Sequence, residues 1–457
     1  MSCASGNATA PVPAIAPGAE AIDVRAAAAR IGERCARVGA PDARLGRLVP
    51  GFDAPFFQAG LAGYSDAAMR IIARRHGCPF CVTEALLDRT ILAGGRGFAK
   101  ADLGELCDNV PGGVEDQPLA GQIMGSEPAE MAAAALKMVE QVARPEREYR
   151  RMAYGGDLAP HGQMALRLPG GEQVGGRRDE ETERRRDGVR HANDDAPPES
   201  AHFVSQSLRC SVSPASFSTI DINLACPVKK IKSKARGGHW LAAPAGAIRI
   251  LEAVREALPA EVPVTVKMRR AFDDTPEMIE GFWRIFDAAY DMGCAWVTVH
   301  GRTVQQKYVG PSRWDLLREI AQARPERMVF GSGDVWGAGD IFRMIEYTGV
   351  TGVSVARGCI GDPWIFRQAR DLMAGREPAE PTLAEQREVL EQHFELALAV
   401  NAGAREPEAL TARMMRKFGI RFAARHPRAE DVRRRFVAVR SLEEWRGVLE
   451  EFYTPCG

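Results

Sequence analysis

The chain has 457 residues, 60 Lys and Arg set against 60 Asp and Glu, and an apolar fraction of 45%. That length builds one large domain plus a smaller one, and zero net charge means that any basic surface for a polyanion has to be local. No apolar run reaches the roughly 18 residues of a membrane span, and the ten cysteines are scattered, as in free thiols of a reducing cytoplasm rather than a disulfide framework.

Residues 1–48 open on "MSCASGNATAPVPAIAPGAE", which lacks the basic start and apolar core of a secretory signal. The segment is Ala/Gly/Pro-rich and is expected to be a poorly ordered extension, apart from a helical pattern in "VRAAAARIGERCARV". From residue 49 to 380, short apolar segments alternate with longer helical patterns. The predicted strands are "FFQAG" (56–60), "FCVTE" (80–84), "PLAGQIM" (118–124), "TIDINL" (219–224), "PVTVKM" (263–268), "AWVTVH" (295–300), "RMVFGSG" (327–333) and "TGVSVARG" (351–358). Between them lie stretches such as "DAAMRIIARRHG" and "AIRILEAVREAL", apolar at helical spacing. Eight strands alternating with helices predict an α/β fold, a (β/α)8 TIM barrel. A doubly wound open sheet would want a G-x-G-x-x-G turn after an early strand, and none is present.

The pair Cys78 and Cys81 in "CPFC" precedes and enters a strand, whereas a redox pair follows one at a helix start. No second such pair completes a zinc site, so a structural role and no metal are expected. Residues 144–216 are charged, Gly/Pro-rich and nearly free of apolar periodicity, and read as a largely disordered insertion on the bottom face of the barrel. Residues 381–457 are helical throughout. Between 401 and 440 they carry eleven Lys and Arg against four Asp and Glu, the local basic face that phosphate-backbone binding requires.

Functional side chains of a barrel sit at the C-terminal ends of its strands. Here those ends carry Glu84, Gln122, Asn223, Lys267 and His300. Thr265 and Lys267 share one face by alternation, as do Thr298 and His300. The last two strands end in the glycine turns "GSGD" and "ARG", where barrels hold phosphate and where Arg357 offers a bidentate contact. Flavin mononucleotide (FMN) fits such a pocket, with Gln122 at the pyrimidine edge of the ring and Lys267 near N1. A phosphosugar fits the cradle equally well.

The stretches "AGLAGYSDAAMR", "VTEALL", "PLAGQIMGSEPAEM", "DINLACPVKKI", "VPVTVKMR", "VTVHGRTVQQKYVGPSRWD", "GSGDVW" and "ARGCIGDPWIF" together resemble the tRNA-dihydrouridine synthase family, over residues 56–450 outside the insertion. The resemblance implies an enzyme that reduces the uracil C5–C6 double bond in tRNA with FMN, re-reduced by NADPH or NADH. It implies a proton donor at Cys226 and cofactor contacts at Gly60, Leu61, Ala62, Gln122, Lys267, His300, Ser332, Gly333, Asp334, Ala356 and Arg357. Asn223 matches a residue near the target uracil. Substrate contacts are further expected from Lys229, Lys230, Lys234, Arg302, Arg416 and Lys417, with residues 381–457 as a tRNA-binding unit. The chain departs from the family pattern in having Gly60-Leu61 where Pro-Met is usual, and Ser332 where Asn is usual.

A thiol with a pKa near 8.5 is mostly protonated at neutral pH and can act as an acid. Positive charge beside it would favour thiolate. The lysines after Cys226 are therefore expected to face RNA phosphates, which neutralise them on binding. The rival readings are an FMN barrel acting on a free pyrimidine, like the dihydroorotate dehydrogenases, and a catalytically silent RNA-binding barrel. Neither a membrane nor an obligate protein partner is expected, and the expected location is the cytoplasm.

Overall fold

A computed structural model describes residues 16, 18–92, 113–140, 146–154, 217–228 and 237–454. Its sheet comprises β1 (Phe56–Gln58), β2 (Cys81–Val82), β3 (Leu86–Leu87), β4 (Leu119–Met124), β5 (Thr219–Leu224), β6 (Val264–Arg269), β7 (Trp296–His300), β8 (Val329–Ser332) and β9 (Gly352–Val355). All pairings are parallel. β1 pairs with β2 on one side and β9 on the other, and β2 also pairs with β4, so the sheet closes on itself. β3 is a two-residue continuation of β2 that rejoins β4 at Ile123 and Met124. The result is the eight-stranded barrel that the alternation of elements predicts, with its second strand broken in the middle.

Alternation along the strands sorts the side chains into two sets. Ile123, Ile222, Val266, Val299, Val329 and Val353 point outward into the continuous apolar core beneath the surrounding helices. Phe57, Phe80, Val82, Ala120, Trp296 and Phe330 point inward and, with Phe52, plug the lower half of the barrel. Phe52 stacks on Phe80 with ring centroids 4.8 Å apart, and Phe330 meets Phe57 edge-on at 5.4 Å. This apolar floor raises the polar inward-facing residues towards the C-terminal mouth.

The helical pattern read in "VRAAAARIGERCARV" forms helix Val24–Val38, and residues Ala43–Leu48 form a second helix where a poorly ordered extension was expected. Asp23 caps the first helix by accepting from the N–H groups of Arg25 and Ala26, and Gly39 ends it in the left-handed region. Ala27, Ala28, Ile31 and Cys35 are buried against helices Ala338–Thr348 and Trp364–Met373. A Cβ on Gly32 would lie 2.2 Å from the Met373 carbonyl oxygen, so glycine is what permits the close approach. The Ala/Gly-rich composition that suggested disorder is the composition that close helix packing uses.

Part of the predicted insertion is likewise helical. Glu146–Tyr154 forms a helix whose Tyr149 is buried and donates to Glu140 at 2.8 Å. The expectation of disorder over 155–216 lies outside the described residues, as does that for residues 1–15.

Four helices follow the barrel: Leu383–Val400, Pro407–Phe422, Ala429–Ala438 and Leu442–Phe452. The first opens with a capping box, Glu385 N–H donating to Thr382 Oγ1 at 3.2 Å and Thr382 N–H to Glu385 Oε2 at 2.8 Å. This helix packs on Ala67–Arg75, the first barrel helix, and Arg425 pairs with Asp362 and Glu380 beyond β9. The buried side chains of the four helices are continuous with the outer core of the barrel, so this unit is docked and not merely tethered. Among the described residues no helix is long and apolar enough to cross a membrane.

Candidate active site

The polar residues above the apolar floor converge from every side of the mouth. β4 contributes Gln122, β5 Asp221 and Asn223, β6 Thr265, Lys267 and Arg269, β7 His300, β8 Ser332 and β9 Ser354. The strand register brings them level: Gln122 is beside Asp221, Asn223 beside Lys267, Arg269 beside His300, and His300 beside Ser332.

Lys267 is the centre of this ring. Its Nζ lies 3.3 Å from Ser332 Oγ and 3.4 Å from Ser354 Oγ, long contacts to neutral groups. It has no ion-pair partner among the described residues. Burial lowers its pKa to about 8, against the opposing pull of Asp221. His300 is held neutral, first by burial and then by the positive charge of Arg269 and Lys267. Its Nδ1 accepts from the Arg302 N–H at 3.1 Å, which leaves the ring hydrogen on Nε2.

Beside Lys267, on β5, Asn223 turns its amide oxygen back on the chain and accepts from the N–H groups of Ala225, at 2.9 Å, and Cys226, at 3.1 Å. This Asx-type turn carries Cys226 over the mouth. The thiol is half-buried against Ala85, Leu87 and Met124. Gly237, at φ +46°, lies so close that its Cβ would stand 3.1 Å from that of Cys226. Arg269 braces the same loop by donating to Ala225 O at 2.9 Å, and to Thr303 O and Lys307 O at 2.8 and 2.7 Å.

The turn Ser332–Gly333–Asp334 has positive φ at two successive residues, +113° at Gly333 and +57° at Asp334. A Cβ at Gly333 would stand 2.4 Å from Ser312 Oγ, so only glycine fits. The Asp334 carboxylate accepts from Arg302 at 2.7 Å and from the Ser312 N–H at 2.6 Å. It therefore holds the turn from behind. Arg357 stacks over Trp336 at 4.6 Å and Tyr308 at 5.0 Å, with its guanidinium 3.6 Å from Asp334.

The β1 loop carrying Gly60, Leu61 and Ala62 forms the remaining rim. Leu61 N–H donates to Ser65 Oγ at 2.8 Å and Gly63 N–H to Glu84 Oε2 at 2.7 Å. A Cβ on Gly60 would meet the Thr83 carbonyl oxygen at 2.3 Å. Glycine at this position, where the family pattern has proline, thus lets the loop lie against β2.

Two expected substrate residues, Arg302 and Lys417, are engaged within the protein. Arg302 is fully buried and donates to Gly310 O and Asp334, so it supports the turn, while its Nη1 has no partner among the described residues. Lys417 donates to Gly63 O and lies 5.2 Å over the Tyr64 ring, which pins helix Pro407–Phe422 to the β1 loop. Arg416 sits one residue earlier, directed to Val437 O at 3.5 Å on the helical unit. Lys229, Lys230 and Lys234 lie outside the described residues. Asp221, Arg269, Tyr308 and Trp336 are site residues that the sequence reading did not nominate. Asp221 and Arg269 could have been found, since each stands two residues from a nominated one on the same strand face. Tyr308 and Trp336 come from loops with no periodicity to betray them.

Cys78 and Cys81 are both buried, with sulfurs 3.9 Å apart beneath helix Ala67–Arg75 and away from the mouth. Among the described residues no group of three or more His, Cys, Asp or Glu is arranged to hold a metal ion. A cavity of about 570 Å³ opens at the other end of the barrel near Arg47, Tyr290 and Met328 and shares no residue with this ring.

Fold and site together define a parallel (β/α)8 barrel with a glycine turn at Gly333, a half-buried lysine and a tethered thiol at its C-terminal mouth. The family model for dihydrouridine synthase (Dus) matches residues 206–451, more than half of the chain. The chain belongs to the dihydrouridine synthase family. It is 34% identical over 235 residues to the "Probable tRNA-dihydrouridine synthase" of Mycobacterium tuberculosis, covering 50% of this chain and 58% of that protein. It is 36% identical over 186 residues to the protein of the same description from Mycobacterium leprae, covering 39% and 47%. Against "tRNA-dihydrouridine synthase B" of Shewanella oneidensis the identity is 37% over 176 residues, covering 38% and 53%. The chain thus spans about half the length of the curated relatives it matches.

Proposed function

We propose that this protein reduces uridine in tRNA to 5,6-dihydrouridine, with FMN in the barrel mouth and NADPH or NADH as the source of reducing equivalents. The observation that carries the reading is the half-buried Lys267, whose ammonium meets, among the described residues, only the hydroxyls of Ser332 and Ser354 where β8 and β9 run into their glycine turns.

The residues fit FMN on two counts. A buried ammonium among neutral hydroxyls wants an anionic partner, and the reduced ring supplies one. The turn at Gly333, too narrow for any Cβ, leaves its backbone open to a phosphate, with Arg357 alongside. Gly60, Leu61, Ala62, Gln122, His300 and Ala356 complete the proposed cofactor set. When bound, FMN supplies the hydride that is added at C6 of the uracil. Lys267 stabilises negative charge in the centre of the mouth, and His300, neutral with hydrogen on Nε2, donates a hydrogen bond without adding charge. Asn223 tethers the Cys226 loop by accepting from its backbone. Cys226 gives its Sγ proton to C5, which completes the saturation of the double bond, and the thiolate regains a proton from water. Reaching that thiol requires a base taken out of the RNA stack.

The attachment of the helical unit to the mouth through Lys417 supports a polynucleotide substrate over a free pyrimidine. The site of action that follows is the cytoplasm. Cys226→Ala is expected to retain flavin and its reduction by NADPH while dihydrouridine formation falls by at least about a hundredfold. Mapping dihydrouridine in tRNA from cells lacking the protein, with wild type and this variant restored, is the test. A full modification pattern in cells carrying only Cys226→Ala rejects the acid assignment.

A further inference from the structure

Asp221 has no part in the chemistry above, yet it is the buried end of a chain of hydrogen bonds that reaches Cys226. Its Oδ1 accepts from Thr265 Oγ1 at 2.6 Å and its Oδ2 from Gln122 Nε2 at 2.6 Å. Gln122 Oε1 in turn accepts from Asn223 Nδ2 at 2.7 Å. Asn223 Oδ1 accepts from the backbone N–H groups of Ala225 and Cys226. Asp221, Gln122 and Asn223 are all buried. The sense of every bond is dictated. Backbone N–H groups only donate, so the Asn223 oxygen must face them and its nitrogen must face Gln122. Gln122 must then meet Asn223 with its oxygen and Asp221 with its nitrogen. Turning either amide over would set donor against donor or oxygen against carboxylate.

We infer that Asp221 is a positioning residue. By fixing the amide of Gln122, and through it that of Asn223, it sets where the Cys226 thiol stands over the barrel mouth. The inference rests on the proposed role of Cys226 as the proton donor. Without an acceptor at 221, the Gln122 nitrogen is unpaired in a buried site and the amide turns to seek another partner. Asn223 then loses its own partner, and the turn that carries Cys226 loosens.

A second possible duty of the carboxylate is charge balance for Lys267, and two variants separate the two. Asp221→Asn keeps the chain, accepting from Gln122 through its oxygen and donating to Thr265 Oγ1 through its nitrogen, but removes the charge. Asp221→Val removes both. In flavin-loaded full-length protein, Asp221→Val is expected to slow single-turnover dihydrouridine formation from the pre-reduced state about a hundredfold. Flavin reduction by NADPH should fall far less, within about tenfold, the part due to the turned Gln122 amide beside the cofactor. Asp221→Asn should stay within about threefold of wild type in both half-reactions. In the flavin-free protein, alkylation of Cys226, read by peptide mapping, should quicken severalfold in Asp221→Val alone, because two N–H donors are released beside the sulfur.

Wild-type turnover in Asp221→Val, or an Asp221→Asn variant as slow as Asp221→Val, overturns the inference. The second result would assign the carboxylate to Lys267. If Asp221→Val does not fold, Asp221→Ser replaces it, since serine still meets Thr265 but is too short for Gln122, and the same outcomes decide. A wild-type protein that forms no dihydrouridine would sink the proposed function instead, leaving the alkylation comparison to judge the hydrogen-bond chain by itself.

Discussion

Lys267 shows how one buried side chain is placed for charge rather than for stability. Its folded pKa of about 8 lies below the ordinary lysine value of 10.5. Between those values the unfolded chain binds more protons than the folded one, so the burial penalty is fully present below about pH 8 and fades as pH rises towards 10.5. The shift corresponds to about 3 kcal/mol. Lys267→Met is therefore expected to be more stable than wild type at pH 7, by a margin of that order in the flavin-free protein. The margin should close towards pH 10. Denaturant unfolding at several pH values measures it, and a pH-independent margin would mean that the folded state leaves the Lys267 pKa at its ordinary value. The same substitution should weaken flavin binding, since a stabilising change at a functional centre removes what the ligand would have met.

At the scale of elements, the mouth depends on pieces that never touch the reacting atoms. The Arg302–Asp334 pair is almost wholly buried and holds the Gly333 turn open. Removing one member of such a pair leaves an uncompensated charge. Arg302→Met is expected to cost about 3 kcal/mol of stability and to lower flavin affinity more than tRNA affinity. A selective loss of tRNA binding would return Arg302 to the substrate surface. The N-terminal helix is a second such element. Gly32→Val drives a side chain into the Met373 backbone, which cannot retreat as a flexible side chain would. Overpacking of this kind costs about 1–3 kcal/mol. Undocking should appear as a lowered Tm and as protease cleavage within residues 16–40, and neither change would mean that the helix adds nothing to the fold.

Across the whole molecule, function is gathered at one end of the barrel. The C-terminal mouth gathers the polar ring and meets the helical unit through Lys417. Helix Glu146–Tyr154 runs back from Glu140 towards Asp88, Arg89 and Glu130, and residues 155–216 beyond it lie outside the described residues. On their composition as a charged, Gly/Pro-rich insertion, deleting residues 160–210 is expected to leave flavin binding and dihydrouridine formation on a short tRNA fragment within about threefold of wild type. Loss of chemistry in a deletion that still folds would place that segment near the mouth. Lys417→Ala should act the other way. Freed from the β1 loop, the helical unit should hold tRNA with an unchanged salt slope while turnover falls, because Lys417 is engaged with Gly63 O. A slope lower by about one phosphate contact would return Lys417 to the substrate surface.

Periodicity in the sequence sufficed for the barrel, because inward and outward residues alternate with a period that no tertiary detail can alter. It also sufficed for Gln122, Asn223, Lys267 and His300, which end strands and so had to face the mouth. It could not reach Asp221 as a support, because whether an inward polar residue meets the ligand or another side chain depends on its depth above the apolar floor. Nor could it tell Arg302 from an open cation, since the carboxylate that claims it lies 32 residues away in the chain. The helix at Val24–Val38 was legible but its docking was not, for the same reason: alanines and a glycine say little until the Met373 carbonyl stands 2.2 Å from where a Cβ would be. Local pattern determined which faces are buried, and only the closed barrel decided which partners those faces meet, because pairing across the sheet is a property of distance in space and not of distance along the chain.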